Sequence, residues 1–100
     1  MDIPKDKIAE FCRKHHIRRL SLFGSVLRDD FGPDSDVDVL VEFEPGHTPG
    51  FRIITIEKEF SHLFDGHKAD MVNPKFLNHR LRDRILSSAQ LQYEVQDEER

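Results

Sequence analysis

Asp36-Val37-Asp38-Val39-Leu40-Val41-Glu42-Phe43 is the stretch whose reading decides the fold of this chain. Val37, Val39, Val41 and Phe43 take alternate positions, the pattern of a strand with one face in a core. Successive strand side chains point to opposite faces, so Asp36 and Asp38 share the other face. Two carboxylates side by side repel one another unless something positive sits between them. Hard divalent cations such as magnesium take oxygen ligands, and one or two carboxylates plus substrate phosphates make a usual magnesium site. The pair asks for a metal.

Upstream, residues 17–23 are mostly β-branched, leucine or aromatic and read as a strand arriving at Gly24. Glycine can bring its backbone close to a ligand or adopt a positive φ. Residues 25–29 then begin a short helix, whose free N–H groups and positive dipole end suit a phosphate. The Ser25 hydroxyl adds a donor, and Arg28 adds a charge one turn on. Phe31-Gly32-Pro33-Asp34-Ser35 carries the turn chemistry that returns the chain as the second strand. Strand, phosphate-holding turn and carboxylate strand together suit a nucleoside triphosphate with magnesium.

Gly24-Ser25, ten further residues, then Asp36-Val37-Asp38 resembles the signature of the DNA polymerase beta-like nucleotidyltransferases. The fuller strings Leu22-Phe23-Gly24-Ser25-Val26-Leu27-Arg28 and Asp34-Ser35-Asp36-Val37-Asp38-Val39-Leu40-Val41 are similar to their smallest members. Those are the minimal nucleotidyltransferases (MNT), often the antitoxin half of a pair whose toxin is a HEPN-domain ribonuclease. The resemblance covers nearly the whole chain. It implies a third carboxylate on a later strand, and Asp70 in Lys68-Ala69-Asp70-Met71-Val72 matches it.

A length of 100 residues is that of one domain with a modest core, and the reading places that domain at 1–95 with a frayed charged tail at 96–100. The net charge of −4 argues against gripping nucleic acid by bulk charge. Cys12 is the single cysteine, so no internal disulfide can form and a reducing compartment fits. No apolar run approaches the roughly 20 residues of a membrane helix. Met1-Asp2-Ile3-Pro4 lacks the basic and apolar regions of a signal peptide. These features point to a soluble cytoplasmic chain without a membrane partner.

In chain order, residues 4–16 read as a helix with Ile8, Phe11, Cys12 and His15 on one side. His15-His16 suits a helix end better than a metal, since adjacent helical residues diverge. Cys12 reads as packing. Residues 44–50 form a proline- and glycine-rich loop, either a flap, a partner contact or a plain connection. A helix over 51–64 follows, with Ile53, Ile56, Phe60, Leu63 and Phe64 as its core stripe and Gly66 as its stop. Residues 67–72 read as a strand, in which Asp70 is a metal ligand or the partner of an arginine such as Arg19. Asn73-Pro74 reads as the start of a helix whose face is Leu77, Leu81, Ile85 and Ala89. Arg80, Arg82 and Arg84 spread around its other sides, as an RNA patch or a solvated surface. Residues 91–95 form an edge strand or a stub that docks a partner. The order gives an α/β (α+β) fold, a small three- to four-stranded mixed sheet flanked by helices.

The resemblance implies a magnesium-dependent nucleotidyltransferase with two ions held by Asp36, Asp38 and Asp70. Asp70 would hold the ion that activates the nucleophile and accept its proton. Gly24 and Ser25, with Arg28, would grip the ATP phosphates. The stretch after Asp70 is too short for a base-reading second domain of the kind larger family members carry, which disfavours polymerase or RNA-tailing activity. The implied acceptor is a tyrosine hydroxyl of the cognate HEPN toxin, receiving AMP. The alternative is a non-catalytic antitoxin that neutralises its partner by occlusion in a hetero-oligomer. Occlusion alone needs no clustered carboxylates.

Overall fold

A computed structural model describes residues 3–28 and 31–95. Helix α1 (Lys5–Lys14) leads into strand β1 (Ile17–Phe23), a 3-10 turn (Gly24–Leu27) and strand β2 (Val37–Phe43). Helix α2 (Ile53–Ser61) lies between 3-10 turns at Gly50–Arg52 and His62–Phe64 and precedes strand β3 (Ala69–Val72). A 3-10 turn (Pro74–Phe76), helix α3 (His79–Ser88) and strand β4 (Gln90–Glu94) follow. The sheet runs β3-β2-β1-β4, with β1 antiparallel to β2 and β4 and β3 parallel to β2. Parallel neighbours need a crossover, and α2 supplies it. This is the mixed four-stranded sheet with flanking helices that the sequence reading expects.

The valines of β2 decide which face closes. Val37 and Val39 are fully enclosed and Val41 nearly so. Ile8, Phe11 and Cys12 of α1 join Ile56, Phe60 and Phe64 in the same cluster. Phe60 meets Phe11 edge-on at 5.0 Å between ring centroids and Phe64 at 5.3 Å. Burial pushes the Cys12 thiol up to about 12, so it acts as an apolar core group, as expected. No helix among the described residues is long and apolar enough to cross a membrane.

Three local readings change. The helix expected at 25–29 is the 3-10 turn Gly24–Leu27, and residues 29 and 30 lie outside the described residues, as does the tail 96–100. Asn73 does cap, its side chain accepting the Lys75 N–H, but the turn lasts only to Phe76. Leu77 returns to extended backbone and Asn78 begins α3, accepting the Leu81 N–H. The α3 stripe expected in the core is not there: no residue of α3 is buried, because α1 and α2 already close the valine face. Residues 91–95, read as an edge strand or a docking stub, fall in or next to β4, which pairs with β1 at the sheet edge.

Candidate active site at the carboxylate end of the sheet

Strand register builds this site. Antiparallel pairing sets Asp38 against Phe23, the last residue of β1, so the turn that follows lies over Asp38. Gly24 there has φ +78°, a left-handed conformation that favours glycine. A Cβ on Gly24 would also collide with the Asp38 carboxylate. Both constraints demand glycine. The Ser25 hydroxyl donates to the Asp36 carbonyl at 3.4 Å, and the Arg28 N–H closes the turn on the Ser25 carbonyl at 2.9 Å.

Parallel pairing then sets Asp38 beside Asp70, on adjacent strands. Asp36 stands just before β2, exposed, two positions from Asp38 and on its side of the strand. Asp38 is half-buried, and burial pushes its carboxyl above the usual aspartate range. The charges of Asp70 and Asp36 push the same way, while Arg28 draws it partly back. All three carboxylates and Arg28 thus share one electrostatic neighbourhood. The sequence reading grouped the same residues, with Gly24 and Ser25.

The ion pair between Asp70 and Arg19, the other reading of Asp70, does not form. Arg19 donates instead to Glu94 at 2.6 Å and Glu42 at 3.3 Å. Asp70 is exposed, so its charge carries little desolvation cost.

Among the described residues, no three Asp, Glu, His or Cys side chains close into a metal cage by themselves. The donor set is nevertheless all carboxylate, and burial together with the charges of Asp70 and Asp36 pushes the Asp38 carboxyl upward. Magnesium binds typically through one or two carboxylates and completes its shell with water and substrate phosphates. The residues fit that ion, whose remaining ligands would come from water and substrate phosphates.

Sequence reasoning missed the struts that hold the carboxylates in place. His67 donates from Nδ1 to the Ser35 carbonyl at 2.9 Å, and its ring lies 4.6 Å from Phe31. The Val37 N–H donates to the Lys68 carbonyl at 2.8 Å. The segment before Asp36 is therefore tied to the segment before Asp70. Glu57 of α2 accepts the Met71 N–H at 2.8 Å and so anchors β3 to the crossover helix. The adjacency of His67 to the Asp70 strand was the only signal in the sequence.

A glycine turn bearing on aligned strand carboxylates is the arrangement that the Gly-Ser and Asp-x-Asp resemblance leads one to expect of a nucleotidyltransferase. The chain belongs to the nucleotidyltransferase domain family, whose profile matches residues 5–92. A relative from Methanocaldococcus jannaschii, named "putative protein adenylyltransferase", is 33% identical over 85 residues, spanning 85% of this chain and 89% of the relative. A solved structure described as a "putative minimal nucleotidyltransferase" superposes with a TM-score of 0.72 at 32% identity, over 89% of this chain and 94% of that one. The same fold occurs in a structure described as a tri-AMPylated Shewanella oneidensis HEPN toxin in complex with an MNT antitoxin. There the TM-score is 0.64 at 17% identity, over 91% of this chain and 70% of that one.

Proposed function

We propose that this chain transfers AMP from ATP, with magnesium, to a tyrosine hydroxyl of a cognate HEPN toxin in the cytoplasm, and so acts as its antitoxin. The observation that carries this reading is the register that sets Asp38 beside Asp70 under the Gly24 turn. The names of the relatives, an adenylyltransferase and an antitoxin on an AMPylated toxin, support the choice of nucleotide and acceptor.

Asp36, Asp38 and Asp70 are the residues that would hold two magnesium ions, whose chemistry is charge neutralisation at the triphosphate. Gly24 lets the turn backbone approach the β- and γ-phosphates, Ser25 adds a hydroxyl donor and Arg28 a charge. The α-phosphorus is thereby turned towards the acceptor. The tyrosine oxygen bonds to that phosphorus as the bond to the bridging oxygen of the β-phosphate breaks. Pyrophosphate leaves, and Asp70 receives the hydroxyl proton. Positioning and charge do most of the work, as in other phosphoryl transfers.

The test is label transfer from ATP carrying a labelled α-phosphate, with magnesium, into lysate of the source cells. Wild type runs beside Asp38→Asn, with circular dichroism to show that the variant folds. The expected result is one labelled protein, its tyrosine identified by mass spectrometry, and a loss on the order of 1000-fold in the variant, about 4 kcal/mol of transition-state stabilisation. Equal labelling by both proteins refutes the assignment of Asp38. An unlabelled but stable complex with a partner replaces the enzyme with an antitoxin acting by occlusion.

A further inference from the structure

The end of the sheet away from the carboxylates holds a second collection of charge. Running from Asp38 to Phe43, β2 spans roughly 17 Å at about 3.3 Å per residue, and beyond it opens a polar basin of ≈ 300 Å³. Lys14, His15, His16, His47 and Arg52 line it. They come from three places: the end of α1, the 44–50 loop and the start of α2. The reaction above uses none of them.

His16 has φ 58°, left-handed, at the turn from α1 into β1 where glycine is the favoured residue. An imidazole kept at such a position is an outlier that invites a functional reading. Its ring stacks on His47 at 3.9 Å between centroids and 17° between planes. The backbone fixes the same contact, because the Glu44 N–H donates to the His16 carbonyl and the His47 N–H to the Glu44 carbonyl. Glu59 of α2 accepts from both Lys14 and His15 at 3.1 Å, so those two groups are already engaged with a carboxylate. Among the described residues the Arg52 guanidinium makes no ion pair.

With Lys14 and His15 held by Glu59, the Arg52 guanidinium and the stacked His16 and His47 rings remain to line the basin. The Arg52 guanidinium and the ring N–H groups of His16 and His47, brought together from three segments of the chain, match an anion with several oxygens, as a phosphoryl group has. We propose that this basin is a second, non-catalytic site for a small phosphate-bearing anion, either free phosphate or a nucleoside monophosphate.

The test is an NMR titration of the full chain, without added metal, using inorganic phosphate in one arm and AMP in the other. Shifts are expected first at the amides of His16, His47 and Arg52, with Ser25 and Arg28 as reporters of the catalytic turn. Saturation by phosphate alone assigns the site to the free anion, and saturation only by AMP assigns it to the monophosphate ester. Arg52→Gln and His47→Ser, both at exposed positions, should each weaken binding about tenfold, the loss of one charge-assisted contact. Unchanged dispersion elsewhere in the spectrum will show that these variants fold. No response at the basin in either arm overturns the proposal, as does a response confined to Ser25 and Arg28. A short single-stranded RNA that shifts the basin when phosphate and AMP do not would replace it with a nucleic-acid contact.

Discussion

The two faces of β2 obey opposite rules. On one, Val37, Val39 and Val41 are sealed against α1 and α2 and contribute stability through burial. On the other, Asp36 and Asp38 stand with Asp70 in mutual repulsion, raising the free energy of the native chain. The unfavourable arrangement is confined to one end, since Leu40, two residues beyond Asp38 on the same face, is buried again. One short strand thus separates folding from chemistry by alternation alone. The comparison predicts that changes on the packed face alter stability, and changes at the carboxylate end alter activity with little or opposite effect on stability.

The largest stability effect belongs to the packed face. Phe60 is fully enclosed between Phe11 and Phe64, and Phe60→Ala should destabilise the chain by about 3–5 kcal/mol in urea unfolding. A loss under about 1 kcal/mol would mean that the cavity collapses and the core is not closed at this point. Next comes the turn that joins the two regions. Gly24→Ala must carry a Cβ in a left-handed conformation and displace the Asp38 carboxylate. The expected outcome is a stability loss of about 1–3 kcal/mol and about 100-fold less label transfer, because misplacement of a reacting group by an ångström costs that much. Undiminished transfer would show that the turn does not position the triphosphate.

Asp38→Asn tests the carboxylate end in the reverse direction. The folded chain holds the Asp38 proton more tightly than the unfolded chain does, because burial and two like charges raise its carboxyl. That preference is complete below the ordinary aspartate value of about 3.9 and is lost as pH rises through the higher folded value. Near neutrality the wild type carries an ionised, repelled carboxylate that asparagine lacks. The variant should therefore be the more stable at pH 7, by on the order of 1 kcal/mol, with an advantage that shrinks on acidification. Thermal melts of both proteins across this range check the sign. A variant less stable than wild type at pH 7 would show that the Asp38 charge is compensated within the chain.

Much of this was legible because alternation is a strong signal. Val37, Val39, Val41 and Phe43 fixed the strand, its two faces and the pairing of Asp36 with Asp38. The β1 bounds matched for the same reason, the run ending at a glycine that the turn requires. Strand order was not legible, so the side-by-side placement of Asp38 and Asp70 needed the register itself. The His67 and Lys68 struts were hidden because backbone acceptors leave no mark on a sequence. The start of α3 was misplaced, because its cap is Asn78 and not Asn73. The sequence reading began the helix at Asn73-Pro74, where the chain makes only the 3-10 turn Pro74–Phe76.

Helix α3 carries the comparison beyond the sheet and gives the smallest expected effect. Like α2 it is amphipathic, yet α2 buries Ile56, Phe60 and Ser61 while α3 buries nothing. Periodicity reports that a helix has an apolar side, not that the chain covers it. With Leu81 42% exposed, α3 depends on its Asn78 cap and its own backbone bonds rather than on the core. Leu81→Ala removes only partly covered surface and substitutes the strongest helix former, so stability should stay within about 1 kcal/mol of wild type. An enclosed leucine would lose about 2–5 kcal/mol by the same change. Parallel urea unfolding of Leu81→Ala and Phe60→Ala puts both helices on one scale. A Leu81→Ala loss above about 2 kcal/mol would place α3 in the core and erase the distinction between a covered and an uncovered helix.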